Sequence, residues 1–146
     1  MCMETLVRRL GRIFTLNDHN ENRKMDRLQK ALDWWMETAS WRIPFRTLKE
    51  EADYLGTDTV TLFHYFEQRM KTDFRTWRNR LRLEDAKRMM LENPGASTAE
   101  IARRTGFSNR SNFSRQFLAY TGQTPAQWRK EARMSPDIPA PENDYV

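Results

Sequence analysis

The sequence predicts an all-α fold in which two helix-turn-helix units are joined by a long connecting helix. Its strongest sign is an internal repeat. Glu50, Ala52, Gly56, Leu62, Phe66, Trp77 and Arg78 recur as Glu100, Ala102, Gly106, Phe113, Phe117, Trp128 and Arg129. The offset is 50 residues up to the glycines and 51 beyond them, so the second copy has one extra residue in its turn. A period of this size marks repeated supersecondary units, and each copy reads as helix, glycine-containing turn, second helix. Apolar residues also recur at helical spacing, and no segment alternates as a strand would. Finally, helix-start chemistry stands where this reading needs it: Thr47 with Glu50, Asp58, and Ser97 with Glu100.

Residues 4–16 carry Leu6, Leu10, Ile13 and Phe14 on one face with arginines opposite, which reads as a short basic amphipathic helix. The polar run from Asn17 to Asn22 reads as a linker. A stronger pattern follows over 24–39, where Met25, Leu28, Leu32, Trp35 and Met36 share a face until Pro44 stops it. Trp34 and Trp35 are adjacent and cannot share that face, so one is expected at the surface. Leu48, Ala52 and Leu55 form the inner side of the next helix, Gly56 supplies the turn, and Asp58 caps a helix with Leu62, Phe66 and Met70 inward. One long helix is predicted from Asp73 to Asn93, with Phe74, Trp77, Leu81, Ala86 and Met90 along one side, ended by Asn93-Pro94-Gly95. The second unit opens at Ser97, turns at Gly106-Phe107, and restarts at Ser108 or Asn109 with Phe113 and Phe117 inward. Gly122 closes that helix and Pro125 begins a last one carrying Trp128. The predicted division is therefore 1–23, basic segment and linker; 24–93, first unit with connecting helix; 94–133, second unit; and 134–146, an acidic, proline-rich disordered tail.

Composition narrows the function. The chain has 146 residues, net charge +5 and 38% hydrophobic residues, enough for one domain or two very small ones. The charge is uneven: residues 97–133 hold seven bases against two acids, whereas 134–146 hold three acids and no base. A cationic second unit favours a polyanionic partner, although solvated helix faces would give the same composition. Cys2 is the only cysteine and His19 and His64 the only histidines, which excludes an internal disulfide and a Cys/His metal cluster. Arg8, Arg9 and Arg12 interrupt the only apolar stretch that could act as a leader, and no run reaches the roughly 20 apolar residues of a membrane span. The cytoplasm is the default compartment. No cofactor is implied, and no catalytic group can be assembled.

These residues resemble the DNA-binding domain of the AraC/XylS family of bacterial transcription regulators. The resemblance runs from Thr47 to about Arg133, roughly 90 of 146 residues, and is strongest over the stretch from Ile101 to Phe117. It continues in Gly122, Thr124-Pro125 and Trp128-Arg129, and the run from Leu81 to Met90 is similar to the family's connecting helix. The resemblance implies that the second helix of each unit enters a major groove of double-stranded DNA, the two grooves lying about one helical turn apart. It also implies RNA polymerase as a partner and activation as the more common outcome.

The family's base-reading and backbone-contacting positions fall on Val60, Phe63 and His64 in copy one and on Arg110, Ser111, Asn112 and Arg115 in copy two. Thr59 and Asn109, beside them, are further DNA-facing candidates. Arg110 and Arg115 are candidates for guanine or phosphate, Asn112 for adenine, and Ser111 for either a base or a phosphate. Copy one departs from expectation, with no arginine before Arg69 and with Val60 and Phe63 where polar readers are common. Those two side chains can touch thymine methyls, and the threonines around them can bond phosphates. The alternative is that Phe63 serves an interface with a missing sensor domain or a second subunit. His64 has two open readings, a phosphate or guanine contact with mild pH dependence, or a half-exposed packing residue. Residues 4–16 fit a membrane surface, a dimer contact or the trailing end of a sensor region. An enzymatic alternative, DNA alkylation repair through a methyl-accepting thiol, has only the terminal and unactivated Cys2 to offer.

Overall fold

The computed structural model describes residues 3–45 and 47–135, and for residues 3–17 the backbone alone. Cys2 and the tail from residue 136, where disorder is expected, lie outside the described residues. Among the described residues the secondary structure is entirely helical: α1 (Met3–Glu37), a 3-10 turn (Ser40–Arg42), α2 (Leu48–Tyr54), α3 (Thr59–Tyr65) running into a π-helical stretch (Phe66–Met70), α4 (Phe74–Glu92), α5 (Thr98–Arg104), α6 (Arg110–Thr121) and α7 (Pro125–Met134). The chain forms two compact units, Met1–Thr38 with Thr47–Asp73, and Ala39–Arg46 with Phe74–Val146.

In the first unit α1 does not break at residues 17–22, where a linker was expected. Asn, Asp and His are mediocre helix formers, but each costs only a few tenths of a kcal/mol to about 0.7 kcal/mol, and this run contains neither Gly nor Pro. Lys24 meets Glu21 at 3.2 Å on the exposed side. The expected inner face is present: Met25, Leu28, Leu32 and Trp35 are buried, while Trp34 remains 48% exposed and lies 5.7 Å from the Tyr54 ring. Ala52 and Leu55, then Leu62, Tyr65 and Phe66, complete this core. The Tyr65 hydroxyl donates to Gln29 of α1.

The second unit surrounds Leu83, Ala86, Met89, Met90, Ala96, Ile101, Ala102, Phe107, Phe113 and Phe117, with Trp128 partly buried against them. Its aromatic rings form a chain: Phe107 to Phe113 at 5.1 Å, Phe113 to Phe117 at 5.5 Å, and Phe117 to Trp128 at 6.0 Å. Arg129 Nη1 donates to the Ala96 carbonyl at 2.5 Å and Arg133 Nη2 to that of Pro94 at 3.2 Å, tying α7 to the α4–α5 connection.

The loop Ala39–Arg46 also belongs to this second unit. Buried Asp85 accepts from Trp41 Nε1 at 3.0 Å, from Arg42 Nε at 2.7 Å and from Arg88 Nη2 at 2.7 Å. Arg82, 4% exposed, donates to the carbonyls of Trp41 at 2.6 Å and Ile43 at 2.8 Å. Buried charge is tolerated here because each guanidinium or carboxylate has bonded partners.

The repeat appears as matched burial. Ala52 and Ala102 are each 1% exposed, Leu62 and Phe113 each 0%, and Phe66 and Phe117 1% and 0%. One pair differs in chemistry: buried Glu51 stands where the second copy has buried Ile101.

Candidate nucleic-acid interface

Each unit presents the helix that follows its glycine turn, and the caps explain where those helices start. Asp58 Oδ1 accepts from Thr61 N at 2.8 Å and Oδ2 from the Thr61 hydroxyl at 2.9 Å. The bond from the Thr61 amide, followed by that from its hydroxyl, holds the Asp58 carboxyl below the usual carboxylate range. Asp58 is thus engaged as a cap, as its sequence position predicts. Thr61 is buried and turned inward, so the expectation of threonine–phosphate bonds does not extend to it.

Four side chains of α3 form the candidate face. Thr59 opens the helix and is half-buried, Val60 is 62% and Phe63 57% exposed, and His64 is exposed 3.9 Å from Glu67. Phe63 and His64 stack edge to face at 5.7 Å. The face is apolar with an acidic neighbour, and the helix gives way to π geometry after only seven residues.

α6 differs on both counts. It runs regularly for 12 residues and ends at Gly122, whose φ of 78° is the left-handed conformation of a helix stop. Asn109 is the cap rather than Ser108, its Oδ1 accepting from Asn112 N at 2.8 Å. Arg110, Ser111 and Arg115 are exposed, Asn112 is half-exposed, and Phe113 and Phe117 anchor the opposite side. Asn112 joins a side-chain network: its Oδ1 accepts from Arg115 Nη2 at 3.1 Å and Gln116 Nε2 at 2.8 Å, and its Nδ2 donates to Ser108 Oγ at 3.3 Å. Gln116 was not among the sequence candidates. Its signal was available in the i, i+4 spacing from Asn112, which places two amides side by side on a helix.

The two faces therefore differ in kind. That of α6 offers cationic and amide donors over a rigid aromatic base, a chemistry suited to phosphates and guanine edges. That of α3 offers shape and methyl contact. Among the described residues, no three His, Cys, Asp or Glu side chains gather as a metal site, and no helix is long and apolar enough to cross a membrane.

Comparison with known proteins agrees with this geometry. Residues 52–131 match the family described as "Helix-turn-helix domain". An uncharacterised HTH-type transcriptional regulator of Staphylococcus aureus is 32% identical over 83 residues, 57% of this chain and 11% of that protein. The raffinose operon transcriptional regulatory protein of Pediococcus pentosaceus is 31% identical over 84 residues, 58% of this chain and 30% of its own length. The Msm operon regulatory protein of Streptococcus mutans is 48% identical over 42 residues, covering 29% of this chain and 15% of that one. The aligned part of the chain thus spans about a tenth to a third of these relatives. Among solved structures, the C-terminal domain of AraT, a response regulator from Geobacillus stearothermophilus, shares the fold with a TM-score of 0.64 at 24% identity, over 72% of this chain and 84% of that one. An AraC-type transcriptional regulator from Chromobacterium violaceum aligns with a TM-score of 0.58 at 25% identity, over 76% and 95%. The chain belongs to the AraC-type helix-turn-helix family of DNA-binding transcription regulators, which are not enzymes.

Proposed function

We propose that this chain activates transcription by reading two adjacent major-groove segments of double-stranded DNA in the cytoplasm, mainly through α6. The observation that carries the reading is the amino-terminal half of α6, where Arg110, Ser111 and Arg115 are exposed on a helix held by buried Phe113 and Phe117. A helix fits the major groove, and arginine there pairs bidentately with guanine O6 and N7. Asn109, Arg110 and Ser111 stand at the helix start, where amide groups favour a phosphate. In α3 the readers are Val60 and Phe63 on thymine methyls, with Thr59 and His64 on the backbone. RNA polymerase is the protein partner this activity requires, and the similarity to two operon regulators supports a role at a promoter.

A second reading makes the chain the output unit of a longer sensor-regulator, in which the first unit binds a sensor domain or a second copy. The exposed apolar pair Val60 and Phe63 favours it. Selection of sites from random duplex DNA at near-physiological salt tests both. Two enriched segments about ten base pairs apart support reading by α3 and α6, and one segment leaves α3 to protein partners. No enriched sequence overturns the proposal. Transcript yield from a promoter beside the selected site then distinguishes activation, a rise, from repression, a fall.

A further inference from the structure

We propose that Asn112 is a positioning residue, which orients Arg115 toward a guanine and does not itself read adenine. The inference rests on the DNA-facing reading of α6. To read adenine, an asparagine must accept from N6 with its oxygen and donate to N7 with its amide nitrogen. Here both lone pairs of Asn112 Oδ1 are committed, one to Arg115 Nη2 at 3.1 Å and one to Gln116 Nε2 at 2.8 Å, while Nδ2 donates to Ser108 Oγ at 3.3 Å. The amide cannot be turned over, because Arg115 has donors only and the oxygen must face it. Reading adenine would break this whole network.

The arrangement leaves Arg115 well supplied. A guanidinium has five N–H donors, and the bond to Asn112 uses one of the two on Nη2. Whichever of the two it uses, one edge, Nη1–Nη2 or Nε–Nη2, keeps a donor on each nitrogen, which is what O6 and N7 of guanine need. Ser108 and Gln116 hold Asn112 from either side and fix the point to which Arg115 is tethered. An exposed arginine otherwise loses rotamer freedom when it binds. Removing that tether is expected to reduce the base preference by about 2- to 10-fold, the equivalent of immobilising one flexible side chain.

The test is site selection from random duplex DNA with the full chain and with the variants Asn112→Ala, Asn112→Asp, Arg115→Ala and the Asn112→Ala/Arg115→Ala double variant. Helical content by circular dichroism establishes that each is folded. The inference expects Asn112→Ala and Arg115→Ala to flatten the same base-pair position, and the double variant to resemble Arg115→Ala alone. Asn112→Asp keeps oxygens facing Arg115 and is expected to retain the preference at that position, with lower overall affinity. Loss of a separate A·T position in Asn112→Ala, preserved in Arg115→Ala, would make Asn112 an adenine reader and overturn the inference. An unchanged Asn112→Ala logo overturns it too. If the unmodified chain enriches no sequence, the DNA-facing reading of α6 fails first and takes the inference with it.

Discussion

Arg42 and Asp85 form a two-pronged pair, Nε to Oδ2 at 2.7 Å and Nη2 to Oδ1 at 2.9 Å, that fastens the loop before the first repeat onto α4. The carboxylate is only 2% exposed, whereas the Arg42 side chain is 38% exposed. Burial alone would push the Asp85 carboxyl up, but the hydrogen bonds from Arg42, Trp41 and Arg88 together outweigh it and hold the group below the usual carboxylate range.

That pair predicts acid sensitivity of the second unit. A carboxyl with a depressed folded pKa contributes stability that is fully present above its unfolded value, near 3.9, and is lost as pH falls through the folded one. Chemical unfolding is expected to give constant stability from neutrality to about pH 5 from this group and a decline below about pH 4. Asp85→Ala is expected to cost on the order of 2–3 kcal/mol at neutral pH, below the usual figure for a broken buried pair because the arginines can turn to water. It should also flatten the acid limb of the profile.

The two turn glycines should respond differently to the same change. Gly56 has φ 69° and open space around its Cα, so Gly56→Ala carries only the left-handed penalty, about 1–2 kcal/mol. Gly106 has φ 93°, and a Cβ there would lie 2.6 Å from the Trp41 carbonyl oxygen and 2.9 Å from that of Arg42. Gly106→Ala therefore adds displacement of the Arg42–Asp85 loop and is expected to lose roughly 3 kcal/mol or more. Thermal melts of the two variants check the order.

The arginines of α6 are expected to separate by role. Arg115→Ala should lower affinity for the selected site by about 1–3 kcal/mol and for random DNA much less. Arg110→Ala, at the helix start, should weaken both alike and reduce the slope of log affinity against log salt by about one. Equal loss on both DNAs for Arg115→Ala would reduce it to a phosphate contact. Titrations at several salt concentrations read both effects.

Phe63 is 57% exposed, so Phe63→Ala should change folding stability by less than about 0.5 kcal/mol. If α3 touches thymine methyls, affinity for the selected site falls by about 1 kcal/mol. Unchanged DNA affinity, measured with the melt, would assign this side chain to a protein partner.

How much of this was legible beforehand depended on the range of the forces involved. Sequence alone determined the helical class, the duplication, the caps at Thr47, Asp58, Asn109 or its neighbour, and the burial of Leu62, Phe66, Phe113 and Phe117. These follow from local propensity, capping chemistry and a period of 3.6 residues, all carried within a few neighbouring positions. Only the tertiary structure decided that α1 runs unbroken through residues 17–22, where local preferences were too weak to choose between coil and helix. Only it joined Trp41 and Arg42 to Asp85 across more than 40 residues, or buried Arg82 beneath two carbonyls. Such contacts depend on which surfaces meet after the chain closes, and desolvated charge finds its partners there, not along the sequence.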